Sequence, residues 1–260
     1  MPKLTVNHSP ALEELLRAGD APVDGIEVGP WMDPERIRAL HADLPDLPIQ
    51  FHAGGMLVRN RGRAGLLERF AEYHACTQSA WVSLHIELLP NWVFRLGTRL
   101  NLYLPPPPIE RARSTFLHEM QDAREMVHLP FLLENMSSLN REKYAFATDP
   151  ALIGELITST DAGLLFDIAH ARLAASYRGM AVEEYINALP LERVRQVHVS
   201  GPRTKNGALY DAHESMQDED YALLEWVLGR CTPEVVTLEY HRQREPLREQ
   251  LHRLREMIGG

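Results

Sequence analysis

The feature that most constrains this chain is a regular alternation of eight short aliphatic or β-branched runs with stretches of helical period. The runs are Leu4–Asn7, Gly25–Val28, Pro48–Phe51, Trp81–Ile86, Phe131–Leu133, Leu164–Phe166, Arg195–Val199 and Val235–Leu238, each followed by a polar turn. Short apolar runs bounded by turn residues read as buried strands, and strands separated by helices read as βα units. Helical period follows in Ala11–Arg17, Ala64–Ala75, Ile109–Val127, Ala151–Thr158, Val182–Leu189, Tyr221–Leu228 and Leu247–Met257. Ser9-Pro10, Asp33-Pro34 and Asp149-Pro150 each set a capping side chain before a proline whose missing N–H costs nothing at the first helical position. An open doubly wound sheet seldom uses so many evenly spaced units. The expectation is therefore an α/β fold, a single (β/α)8 TIM barrel over residues 1–260, with no linker or repeat to divide it.

Composition narrows the function classes. The chain is 45% hydrophobic and 24% charged, values of an ordinary globular protein. With 27 basic and 36 acidic residues the net charge is −9 and no Lys/Arg-rich run appears, so the electrostatic footprint of a nucleic-acid binder is absent. The segment Met1–Asp20 has acidic residues where a signal peptide needs an apolar core, and no window approaches a membrane span; a cytoplasmic location is expected. Cys76 and Cys231 stand far apart with no C-x-x-C partner, and read as buried thiols.

Strands of a closed parallel barrel are buried on both faces, so polar residues at their C-terminal ends need a reason. Here nearly every strand supplies one: His52 after Gln50-Phe51, His85 in the fourth run, Glu134 and Asn135 after the fifth, Asp167 after the sixth with His170 three residues on. His198 follows in the seventh, Asp211 and His213 in the turn after it, and Glu239 after the eighth. Any one of these would ordinarily be a hydrogen-bonded structural residue. Together, five histidines and four carboxylates at one rim are too costly to bury unless cations or dense pairing compensate them. Imidazole and carboxylate without thiolate suit zinc, iron or manganese, and nine ligands exceed what one ion takes, so two or three metal ions are implied. His41, His74, His118, His128 and His252 fall on or beside helical segments and are expected to be surface or packing residues. His8, Glu27 and His241 are expected to support the site or the fold rather than to ligate.

The order of these residues resembles the trinuclear arrangement of barrels related to xylose isomerase and the AP-endonucleases. The strings FLLENMSS at Phe131–Ser138, GLLFDIAHAR at Gly163–Arg172, INALPLERVRQVHVSG at Ile186–Gly201 and DAHE at Asp211–Glu214 are similar to those of the multinuclear non-heme iron-dependent oxidases. VSLH at Val82–His85 and LYLPPPP at Leu102–Pro108 sit where that family has similar strings. The resemblance implies a barrel whose mouth holds two or three irons and uses O2 to oxidise a substrate, commonly a cysteine of a ribosomally made peptide. By analogy, His52, His85 and Glu134 would hold one ion, with Glu134 bridging to a second held by Asp167, His198 and Glu239. His170, Asp211 and His213 would hold a third, and Asn135 would either ligate or orient the ligands. Many peptide-modifying members have Asn where this chain has His170. With no evident leader-capturing domain, the expected partner is a small-molecule substrate or a peptide presented by a separate protein.

Three further expectations complete the reading. The same ligands could instead hold zinc or manganese in a hydrolase or isomerase acting on a sugar or phosphate compound, with Arg203 and Lys205 near a small anion. The Leu88–Pro108 connection, too long for an ordinary βα loop, reads either as a packed surface excursion or as a lid over the site. Asp211 and His213, placed in a turn, would give the third ion the least rigid ligands.

Overall fold

Successive strand residues point alternately outward and into the barrel, and this parity builds the molecule. The computed structural model describes residues 1–55, 66–86, 88, 100, 108–137 and 145–259. The strands are β1 (Lys3–Asn7), β2 (Gly25–Val28), β3 (Ile49–Gly54), β4 (Val82–His85), β5 (Phe131–Glu134), β6 (Gly163–Asp167), β7 (Val194–Val199), β8 (Gly201–Lys205), β9 (Ala208–Glu214) and β10 (Val235–Leu238). Eight of them form a closed parallel barrel in the order β1-β10-β7-β6-β5-β4-β3-β2, sealed where Lys3–Val6 pairs with Val235–Leu238. Every expected strand is present, and β3 continues past Phe51 to Gly54, carrying His52 on the strand itself.

The outward parity, including Val6, Ile26, Phe51, Leu84, Leu133, Phe166, Val197 and Leu238, packs with helix residues into the main core. At the lower end of the interior Trp81, Leu132, Leu165 and Val235 form a separate apolar cluster. Above it the interior turns polar: Thr5 meets Thr237 at 2.7 Å and donates to Gln50, and Gln196 donates to Thr237 at 2.9 Å. The expectation of strands apolar on both faces is thus met only outside, because the inner face is divided into a dry base and a wet top. The rim residues are the uppermost inward positions.

The helices are α1 (Pro10–Ala18), α2 (Pro34–Asp43), α3 (Leu66–Thr77), α4 (Ile109–Val127), α5 (Pro150–Ser159), α6 (Ile168–Arg178), α7 (Val182–Asn187), α8 (Asp218–Leu228) and α9 (Arg244–Gly259). Ser9, Asp33 and Asp149 cap α1, α2 and α5 through their side-chain oxygens, each with proline in the first turn, as expected. Such a cap contributes about 1 kcal/mol.

Two elements differ from the sequence reading. Helix α6 starts directly after Asp167 with no intervening turn, and most of its residues from Ile168 to Ala175 are buried, so it lacks the amphipathic stripe by which helices are recognised. The residues after β7 form an antiparallel hairpin, β8–β9, so Asp211 and His213 lie on a strand and not in a turn. The Leu88–Pro108 connection, apart from Leu88, Leu100 and Pro108, lies outside the described residues, as do Glu87 and Ser138. Among the described residues no helix is long and apolar enough to cross a membrane.

Candidate metal centre

The uppermost inward residues surround a cavity of about 550 Å³ lined by Asn7, His8, Ser9, Pro10, Trp31, His52, His85, Glu134, His170, Asp211, His213, Glu239 and His241. Asp167 and His198 lie directly beneath, both fully buried. All nine expected ligands are therefore gathered at one end of the barrel. Strand register explains part of this, since His85 pairs with Glu134 and Asp167 with His198 across adjacent strands.

Glu134 is central. Its Oε2 lies 3.4 Å from His52 Nε2 and 3.1 Å from His85 Nε2, while Oε1 lies 3.1 Å from His170 Nδ1. His52 and His85 Nε2 approach to 3.1 Å. Beside them Gly54 adopts φ +53°, and a Cβ there would stand 3.5 Å from His52 Nε2 and from the His85 ring, so glycine both permits the turn and leaves that space open. His198 sits between two carboxylates, with Nδ1 3.3 Å from Glu239 Oε1 and Nε2 3.1 Å from Glu27 Oε2. Asp211 Oδ2 is 2.8 Å from His213 Nε2 and 3.4 Å from His170 Nε2.

Supporting contacts orient these groups. Ser83 Oγ lies 2.9 Å from His52 Nδ1, and the Asn135 carbonyl lies 2.9 Å from His170 Nδ1, which turns each ring's Nε2 toward the cluster. Asp167 Oδ1 caps α6 by accepting from the His170 N–H at 2.7 Å, leaving Oδ2 for the site. The Asn135 side chain is spent on the Asp167 backbone: Nδ2 donates to its carbonyl at 2.9 Å and Oδ1 accepts its N–H at 2.8 Å. Of the two roles open to Asn135, this geometry matches orientation of Asp167.

The electrostatics call for a cation. Glu134 Oε2, His198 Nδ1, Asp211 Oδ1 and Glu27 Oε1 are buried without a hydrogen-bond partner. Each such atom costs roughly 1–3 kcal/mol. Burial would raise the Glu134 carboxyl, but His85, the His170 hydrogen bond and His52 hold it well below the usual carboxylate range. Burial pushes Asp167 up to about 7, with Glu239 and Glu134 adding to the rise against His170. Burial also opposes charge on His170 and His198, yet the surrounding carboxylates lift both well above the usual histidine value. Protons on His170 and His198 thus neutralise part of the acidic cluster, a role divalent ions would also fill, while burial holds the His52 pKa below its usual value. Three groups place one ligand atom each within 4.8 Å of one another: His52, His85 and Glu134; Glu134, Asp167 and His198; and Glu27, His198 and Glu239. Nitrogen and oxygen donors with orphaned atoms fit first-row divalent metals.

The remaining histidines lie apart, with His41, His74, His118 and His252 on helices and His128 at a helix end. His8 pairs with Glu13 at 2.8 Å, and the His241 ring lies 6.5 Å from that of His213; both line the cavity. Trp31, Ser83, Gln196 and Trp81 were not singled out from sequence. Parity was the available signal for two of them, since Ser83 stands two before His85 and Gln196 two before His198 on the same inward face.

The sequence profile of the family described as "RiPP precursor modification enzyme MbnB/TglH/ChrH" matches residues 11–258. This chain belongs to that family. It is the family that the sequence resemblance pointed to. A protein named UPF0276 from Caulobacter vibrioides (strain NA1000 / CB15N) is 28% identical over 210 residues, covering 80% of this chain and 74% of that one. UPF0276 protein RB0508 of Rhizobium meliloti (strain 1021) is 27% identical over 206 residues, covering 75% and 64% respectively. Among solved structures, endonuclease IV from Thermus thermophilus superposes with TM-score 0.62 at 19% identity over 99% of both chains. A xylose isomerase-like TIM barrel protein from Mycobacterium smegmatis in complex with magnesium gives TM-score 0.62 at 15% identity, over 99% of this chain and 97% of that one. These structures establish the shared barrel. The family is one of modification enzymes, and it implies several metal ions, for which this chain has several ligand groups.

Proposed function

We propose that this chain is a multinuclear iron enzyme that uses O2 to oxidise its substrate, with a cysteine of a ribosomally made peptide as the leading substrate class. The observation that carries this reading is the position of Glu134, one carboxylate shared by the His52–His85 group and the Asp167–His198 group. A carboxylate common to two ligand groups suits a bridge between two ions. Bound iron would supply open coordination positions and a redox couple for O2. His52, His85 and Glu134 would hold one ion and Glu134, Asp167, His198 and Glu239 a second, while His170, Asp211 and His213 would complete a third position.

The protein's own groups prepare the chemistry. The Asn135 carbonyl, which can only accept, holds a proton on His170 Nδ1, and Ser83 Oγ would accept one from His52 Nδ1 when Nε2 ligates, keeping the Nε2 lone pairs free. Asn135 and the α6 cap fix the Asp167 carboxylate from behind. Pro10, Trp31 and His8 line the cavity beside His241, and burial with the neighbouring His213 keeps the His241 pKa below its usual value. A neutral His241 ring would then accept a proton from an incoming thiol at its unprotonated nitrogen. Membership of a peptide-modifying family supports a peptide substrate, and delivery by a separate presenting protein is part of this reading.

The test is elemental analysis of anaerobically purified protein together with O2 uptake in the presence of thiol-containing peptides. Two to three irons per chain and thiol-dependent O2 uptake are expected. Zinc as the sole bound metal, with hydrolysis of phosphate or sugar compounds indifferent to O2, would overturn it. Glu134→Ala should lose about two equivalents of metal where His85→Ala loses about one; equal losses would refute the bridging role.

A further inference from the structure

Five histidines face the cluster. His52 and His85 turn Nε2 toward Glu134 Oε2, and His213 turns Nε2 toward Asp211 Oδ2 with Nδ1 3.7 Å from Glu239 Oε2. His170 turns Nε2 toward Asp211 Oδ2 while its Nδ1, 3.1 Å from Glu134 Oε1, donates to the Asn135 carbonyl, so in these four Nε2 faces a carboxylate of the cluster. His198 is the exception. Its Nδ1 faces Glu239 Oε1 at 3.3 Å and is buried with no hydrogen-bond partner, while its Nε2 faces Glu27 Oε2 at 3.1 Å from across the barrel. The two ring nitrogens of an imidazole diverge, so an ion taken by one of them leaves the other nitrogen to the carboxylate it faces, even though one atom each of Glu27, His198 and Glu239 lies within 4.8 Å of the others. One of the two carboxylates must take a proton from the ring.

Which one is decided lower in the barrel. Trp81, in the dry base, has only an indole N–H and can only donate; it donates to Gln196 Oε1 at 3.0 Å. That contact fixes the Gln196 amide, so its Nε2 must face upward, where it donates to Glu27 Oε2 at 2.7 Å and to Thr237 Oγ1 at 2.9 Å. With both amide hydrogens used, Gln196 has none left for His198 Nε2, which stands 3.1 Å away. The remaining acceptor for an Nε2–H on His198 is the Glu27 carboxylate, which is fully buried and held in place by Gln196.

We infer that Trp81, Gln196 and Glu27 form a positioning relay that fixes His198 as its Nε2–H tautomer and so makes it the one histidine of the cluster that ligates through Nδ1. Glu27 is on this account a positioning residue and not a ligand, and the orientation of a donor at the mouth is set by a tryptophan in the base. The inference rests on the reading of His198 as a metal ligand. Outer partners of this kind typically govern roughly 10–100-fold in metal affinity.

Zinc-loaded, full-length protein with 15N-labelled histidine gives the direct readout, because long-range correlations from the carbon-bound ring protons report which nitrogen carries the proton. One zinc-bound ring should show the Nε2–H pattern and the others the Nδ1–H pattern. Glu27→Gln should shift the signals of that one ring. Trp81→Phe, which touches neither the metal nor His198, should weaken zinc at one position roughly tenfold and leave the other positions unchanged. The double variant should be no weaker than Glu27→Gln alone. If every zinc-bound ring shows the Nδ1–H pattern, or if Trp81→Phe leaves zinc affinity unaltered while Glu27→Gln removes one ion, the relay is wrong and Glu27 is a ligand. Failure of the unaltered chain to bind zinc would instead sink the metal reading, and the relay with it.

Discussion

Asp167 does two jobs with two oxygens: Oδ1 caps α6 and Oδ2 faces the site. Sequence reading marks Asp167, His170 and Asn135 because polar residues at strand ends are conspicuous, but not how they engage one another. That depends on the packing of β5 against β6, which brings Asn135 onto the Asp167 backbone. Protons are equally a matter of proximity. Burial opposes charge on His213, but Glu239, Asp211 and Asp167 push its pKa up to about 9. In metal-free protein this ring therefore carries a proton at neutral pH, which an incoming ion must displace. Zinc uptake at pH 7 should release protons, and apparent affinity should rise with pH until about 9. A zinc titration followed with a pH indicator checks this; uptake with no proton release would contradict it. The sign for stability is the reverse. A histidine raised from about 6.5 to about 9 stabilises the metal-free fold fully below pH 6.5 and loses that contribution as pH rises toward 9.

At the scale of elements, the β8–β9 hairpin carries a legible signal that the strand-end reading passes over. Asn206-Gly207 between short β-type runs is the strongest local hairpin signal, and both residues take positive φ, 52° and 74°. On β9, Asp211 and His213 are two apart and so share a face, which a turn would not guarantee. Their placement therefore depends on how the hairpin docks, not on loop flexibility. Arg242 donates to the Ala212 carbonyl at 2.9 Å, between the two ligands, and pairs with Glu214 at 3.0 Å. Gly201 lies so close to the Ser215 and Glu214 carbonyls that a Cβ would clash at 2.3 and 2.7 Å. Arg242→Ala should loosen the third position alone, so that mild chelation removes one ion first while two remain. Metal release followed by mass spectrometry under a chelator gradient checks it, and simultaneous release of all ions would show one cooperative cluster. Helix α6 was not legible, because a helix buried on most sides loses the period that announces it.

At the scale of the whole molecule, the proposed ligands come from six of the eight barrel strands or the residues just beyond them, with β9 adding two more. Ions held among them tie together strand ends that are distant in sequence. An ion present at a hundredfold excess over its Kd stabilises by about 2.7 kcal/mol per site. For a chain of this size each kcal/mol moves Tm by roughly 2–4 °C, so complete chelation should lower Tm by at least about 5 °C. Calorimetry with and without chelator measures this; an unchanged Tm would mean the apo rim is already self-sufficient. The fall should be larger at pH 9 than at pH 7, since proton neutralisation of the histidines fails there.

The sequence by itself determined the barrel, its strands and caps, and the identity of the rim residues, because hydrophobic period, proline and capping chemistry are local properties of the chain. Only the tertiary structure decided that Asn135 braces Asp167 and that Glu27 faces His198 from the opposite wall. Those contacts join residues separated by up to 171 positions, Glu27 to His198. Their geometry is fixed by strand register and barrel closure, and no local pattern carries that information.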